Sequence, residues 1–159
     1  MTVRHTLLVL AAMFTAFMLE HLPMPELLSW LQPSWVSLLT MVLVLHQPRI
    51  FGLWLAWPLG LFLDTGQAVR LGLHVSIFLV QIYLLQLTCR RVVLFHFIQQ
   101  MAVVFLLVAL GQVIHYWALL LMTGAAQPVL LWQPALVSAA LWPWVYGLAH
   151  LLLIRMRSQ

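Results

Sequence analysis

The chain has 159 residues, of which 65% are hydrophobic and only 6% are charged. Soluble proteins carry roughly 25% charged residues, so this composition cannot build a water-facing surface, and the solvent it implies is lipid. The net charge of +4 comes from arginines scattered along apolar segments. They form no basic patch the size of a groove, which excludes nucleic acid as a partner.

A helix needs roughly 20 residues to cross a bilayer, so six or seven crossings consume nearly the whole chain. Residues 1–159 therefore read as a single integral membrane domain. The first span runs from about Val3 to Leu19. Arg4 before an apolar run is also how a secretory signal begins, but no A-x-A cleavage site follows, so the span is expected to be retained. Glu20 and His21 mark its outer end. From Leu22 to Pro33, the breakers Pro23 and Pro25 with Glu26 and Trp30 suit a loop lying against the headgroups.

The next apolar blocks, Trp35–Leu45 and Ile50–Leu63, have 11 and 14 residues, shorter than a usual span. They read as two short helices or one re-entrant hairpin, and either returns the chain to the same side. After a polar break from Asp64 to Gly72 come three longer segments, Leu71–Thr88, Phe97–Leu121 and Pro134–Ile154. The expected fold is all-α and polytopic, with about six transmembrane helices in one compact bundle. Placing the amino terminus inside puts Arg4, Arg49, Arg90, Arg91, Arg155 and Arg157 in the cytoplasm and only Arg70 outside, as the positive-inside rule prefers. Both termini are then cytoplasmic. Cys89, alone of its kind and beside Arg90, makes no intramolecular disulfide.

Asp64 is the most informative position, because it directly follows the apolar run Leu59–Leu63. An aspartate near the centre of a spanning helix costs roughly 2.5–3.5 kcal/mol on insertion scales, and less near an interface. The reading weighted first is structural: in a turn made by Thr65, Gly66 and Gly72, Asp64 satisfies free backbone amides and pairs with Arg70. The second is direct contact with a partner or ligand. Asp64-Thr65-Gly66 also spells the D-T-G of aspartic proteases, but it occurs once and between apolar helices, which argues against that chemistry.

The seven histidines, His5, His21, His46, His74, His96, His115 and His150, include no i, i+3 or i, i+4 pair and no H-E-x-x-H, so no metal or other cofactor is expected. No serine lies in a G-x-S-x-G, so no enzyme chemistry is expected either. Gln112, His115, Tyr116 and Leu119 share one helical face of the fifth span, and Gln81 marks the fourth. That set reads first as interhelical glue and second as a transport path. Pro143 should kink the last span and turn Trp142 and Trp144 sideways, where they offer a surface to another helix or to lipid. Gly52 and Gly60 allow a neighbouring backbone to approach closely.

Several runs together resemble the rod shape-determining protein MreD family: Gln32-Pro33-Ser34-Trp35, Gly60-Leu61-Phe62-Leu63-Asp64, Leu71-Gly72-Leu73-His74 and Leu141-Trp142-Pro143-Trp144. The glycine, aspartate, glycine, histidine order around Asp64 is the most specific part, and the resemblance covers about Leu31 to Ile154. It departs at Gln32, where relatives often carry arginine, and at Asp64-Thr65-Gly66, where Asp-Leu followed by a Ser-Gly pair is usual. The resemblance implies a multi-pass subunit of the bacterial cell inner membrane, serving regulation of cell shape in the elongasome without catalysis. It implies as partners MreC, MreB, RodZ, RodA and a penicillin-binding transpeptidase of peptidoglycan synthesis. Asp64, Gly66, Arg70, Gly72 and His74 become its expected partner-binding or structural turn, and Gly52, Gly60, Trp142, Pro143 and Trp144 its helix-packing surface. The family is also similar in fold to the substrate-binding membrane subunits of vitamin importers, which keeps a small-molecule transporter component as the alternative.

Overall fold

The computed structural model describes residues 3–22, 32–48, 50–67, 71–124 and 132–157. Among these residues there are six α-helices and no strand: α1 (Val3–Glu20), α2 (Trp35–His46), α3 (Ala56–Gly66), α4 (Leu73–Val92), α5 (Phe97–Thr123) and α6 (Gln133–Arg157). A short 3-10 turn, Leu53–Leu55, leads into α3. Each apolar segment of the sequence carries one helix. Two of them, α4 and α5, are long and apolar enough to cross a membrane. The Pro23–Leu31 stretch, with Pro23, Pro25, Glu26 and Trp30, lies outside the described residues, as do Arg49 and Arg70.

Helix α2 is the hub. It packs against α1, α4 and α6, while α3 lies on α4, and α5 lies between α4 and α6. Nine of the twelve residues of α2 are buried, including Leu38, Val42 and Val44 with no exposed surface. Its apolarity on every side follows, since a helix surrounded by others needs no polar stripe.

The short blocks form two separate helices. α2 begins beside the end of α1 and the start of α6, where the Ser34 amide donates to Ser138 Oγ at 3.1 Å. It ends beside the later turns of α6, where the His46 and His150 rings approach to 3.5 Å. From there Gln86 of α4 reaches the Pro48 carbonyl, and α3 returns to the first end, where Asp64 meets the start of α4. Each therefore traverses the bundle.

Helices α3 and α4 approach closely at Gly60. A Cβ at Gly60 would fall onto the backbone of Val75, so only glycine lets these two helices pack at this distance. At the opposite end Gln100 holds the α4–α5 turn. Its side-chain amide donates to the Val92 and Phe95 carbonyls at 3.2 and 3.1 Å, and its Oε1 accepts from Trp142 Nε1 at 3.1 Å. One buried glutamine thus ties the turn to α6.

Candidate functional site

The first residues of a helix carry amide groups with no intrahelical partner. At α4 the cap position is Gly72, whose φ of +102° is a left-handed conformation that a side chain disfavours. Glycine has no side chain to cap with, and Asp64, from the end of α3, does so across the turn. Its Oδ2 accepts the Gly72 amide at 2.6 Å, and its Oδ1 accepts the His74 amide at 2.9 Å. The His74 ring closes the motif, with Nδ1 at 2.7 Å from the same Oδ1. Asp64 has no exposed surface and His74 is 8% exposed. This carboxylate is fully engaged inside the protein.

The sequence pointed to this turn and to its use of backbone amides. Its expected ion partner, Arg70, lies outside the described residues, and the side chain seen on Asp64 is His74. Gly66 is the last residue of α3, and a Cβ there would run into the His21 ring at the end of α1. The end of α3 is therefore packed on α1 as well.

A second carboxylate repeats the arrangement, and sequence reasoning missed it. Glu20, expected at the outer end of the first span, is the last residue of α1, and its Oε2 accepts the Val36 amide at the start of α2 at 3.2 Å. The Glu20 carbonyl in turn accepts from Gln32 Nε2 at 2.7 Å. The end of α1 caps α2 as the end of α3 caps α4. The readable signal is a helix-terminal acid followed, after a loop, by a helix whose own cap makes no bond; Ser34 makes none with its side chain.

Between the two capped turns lies a cavity of about 170 Å³, lined by Glu20, Ser37, His74, Gln81, Gln112 and His115 among others. The expected seam of Gln81, Gln112 and His115 thus faces this space. Gln81 is glue, donating Nε2 to the Leu107 carbonyl at 3.1 Å. His115 lies 5.7 Å from the His74 ring, centre to centre, and its Nε2 has no hydrogen-bond partner. Among the described residues, no three His, Cys, Asp or Glu side chains converge as a metal site.

The expected packing surface divides. Trp142 has no exposed surface and bonds to Gln100 inside the bundle, whereas Trp144 is 74% exposed. Two residues apart on a helix is about 200°, so one ring faces in and its neighbour faces out. Pro143 between them lies inside α6. Gly52 precedes the 3-10 turn instead of lying within a helix, and a Cβ there would come within 3.3 Å of Gln86 Nε2.

The profile of the rod shape-determining protein MreD family matches residues 1–152. The chain belongs to the MreD family. It is thus a rod shape-determining membrane protein, and the apolar α4 and α5 suit that setting. No solved structure matches it. In this MreD-family chain, the aspartate and histidine quoted from the sequence for the family resemblance are the two side chains that close the α3–α4 turn.

Proposed function

We propose that this chain is a non-catalytic, multi-pass subunit of the bacterial inner membrane that maintains rod shape by scaffolding MreC and the peptidoglycan synthesis complex. The observation that carries this reading is the state of Asp64. The most reactive-looking group in the chain is buried, with both oxygens engaged by Gly72 and His74, which suits a part that holds a shape. In this reading residues 1–159 form one membrane domain with six spans and both termini in the cytoplasm. The arginine partition supports that orientation.

The turn of Asp64, Gly66, Arg70, Gly72 and His74 fixes one corner of the scaffold. The outward face of α6, with Leu136, Trp144 and Leu148 all more than half exposed, takes the transmembrane helix of MreC. MreB, RodZ, RodA and a penicillin-binding transpeptidase belong to the wider complex. Co-purification in mild detergent tests this reading: MreC should be recovered with the wild type and lost with Trp144→Ala. Failure to recover MreC with the wild type, with both proteins inserted, would refute direct binding.

One observation favours a second reading, a small-molecule transporter component. The polar cavity between Glu20, His74 and His115 has unfilled hydrogen-bonding capacity at His115 Nε2. A ligand that binds only the folded state raises its apparent stability. A thermal shift with one member of a vitamin and lipid panel, abolished by His115→Ala, would favour this reading over the scaffold.

A further inference from the structure

The end of the bundle opposite the Asp64 turn carries a different feature. Between the last turns of α4 and the first half of α5 runs an apolar groove of about 350 Å³, lined by Leu84, Leu87, Arg91, Phe95, Val103 and Leu106 among others. Its floor is buried, with Val92 at 1% and Leu107 at 6% exposure. From Leu84 to Arg91 it follows about 10 Å of helix, at 1.5 Å per residue. The turn that closes it is held by Gln100 through Val92 and Phe95. The groove therefore has a fixed wall and is pre-formed.

Two properties identify what fills it. Among the described residues the charged side chain that lines it is Arg91, which is exposed, and the equally exposed Arg90 adjoins it in the last turn of α4. Immediately beyond them the turn is strongly apolar and outward-facing, with Leu94 85% and Ile98 78% exposed. Water does not suit that turn, and a purely hydrocarbon setting does not suit the arginines. Both are satisfied at the level of lipid headgroups, where guanidinium groups meet phosphate and apolar side chains enter the acyl region. Guanidinium groups bind phosphate oxygens in a fork, and anionic headgroups add net attraction.

We propose that the α4–α5 groove is a binding site for one anionic phospholipid, its phosphate on Arg91 and one acyl chain along Leu84, Leu87, Val103 and Leu106. The inference is independent of the scaffold reading, because it rests on the groove and its charge alone.

Native mass spectrometry of the detergent-purified full chain tests it, with phosphatidylglycerol and phosphatidylcholine of identical acyl chains supplied in equal amounts. The wild type should retain one phosphatidylglycerol in preference to phosphatidylcholine. Arg91→Gln should lower that occupancy about fivefold, the weight of one interfacial cation. Arg91→Lys keeps a cation at the groove and should retain most of the occupancy. Leu106→Trp fills the groove from an exposed position, so the fold is kept and the lipid is lost with both arginines intact. Equal retention of the two lipids, or full retention by both Arg91→Gln and Leu106→Trp, would overturn the proposal. So would a second protein copy that occupies the groove in the wild type and is released by Leu106→Trp.

Discussion

Replacing Asp64 by alanine removes the acceptor for three groups at once, the Gly72 amide, the His74 amide and His74 Nδ1. A buried donor left without a partner costs roughly 1–3 kcal/mol, and a lost helix cap about 1 kcal/mol. The His74 amide is buried and takes about 2 kcal/mol of this, while Gly72 is exposed and regains water, so its share is about 1 kcal/mol, and the imidazole adds a similar amount. The expected total is about 4 kcal/mol. For a chain of this size 1 kcal/mol moves the melting temperature by roughly 2–4 °C, so Asp64→Ala should melt about 8–16 °C below wild type. Fluorescence-detected size exclusion after heating in detergent reads this directly. Asp64→Asn keeps one oxygen acceptor but turns an amide donor toward the other amide, and should lose about half as much. In the double variant Asp64→Ala, His74→Ala, the two losses should fall short of their sum by about 1 kcal/mol, because the residues share one contact. An alanine variant melting within about 2 °C of wild type would refute the claim that this carboxylate holds the turn.

Gly60→Ala should be severely destabilising, by about 2–3 kcal/mol or more, because its new methyl meets the Val75 backbone and backbone cannot swing aside. Gly147→Ala, with nothing within 4 Å of the new Cβ, should melt as the wild type does, and the same heating assay compares them. Trp142→Ala empties a site with no exposed surface and should cost about 3–5 kcal/mol, whereas Trp144→Ala should leave the melting temperature within a few degrees while releasing MreC on co-purification. In a rod-shaped host depleted of the chain, phase-contrast imaging should show rounding that wild type reverses. Asp64→Asn at normal membrane levels should restore rods, since a structural cap tolerates a partial replacement; failure would give the carboxylate a role beyond folding.

Much of this architecture is written in residue order. The six apolar segments fall on the six helices because a lipid-facing or fully packed helix must be apolar along its length, and that pattern is local. The Asp64 turn was legible for the same reason, as an acid, two glycines and a histidine within eleven residues of an otherwise apolar chain. Which side chain closes on Asp64 was not legible, because spacing shows which groups are near the turn and not which way it folds. Glu20 was hidden by distance: its bond to Val36 spans sixteen residues, across a stretch rich in proline. Trp142 and Trp144 read alike in sequence. Their separation by about 200° settles that they face opposite ways, but only the packing of α6 on α2 and α5 decides which of them is inside.

The position of α2 has a consequence for how the protein is made. Its two ends are held by residues of α6 that follow 104 positions later, Ser138 at its start and His150 at its end. At a synthesis rate of about 5–20 residues per second, those partners emerge roughly 5–20 s after α2 itself. During that interval the twelve-residue helix, too short to rest in a bilayer alone, has α1 as its earlier-made neighbour among the described helices, and Glu20 of α1 already binds its first turn. The buried hydroxyl of Thr40 is satisfied within the helix, on the Val36 carbonyl at 2.7 Å, so it can wait without a partner. Helix α2, translated early, is thus completed by α6, translated late, and the order of translation and the order of closure run in opposite directions.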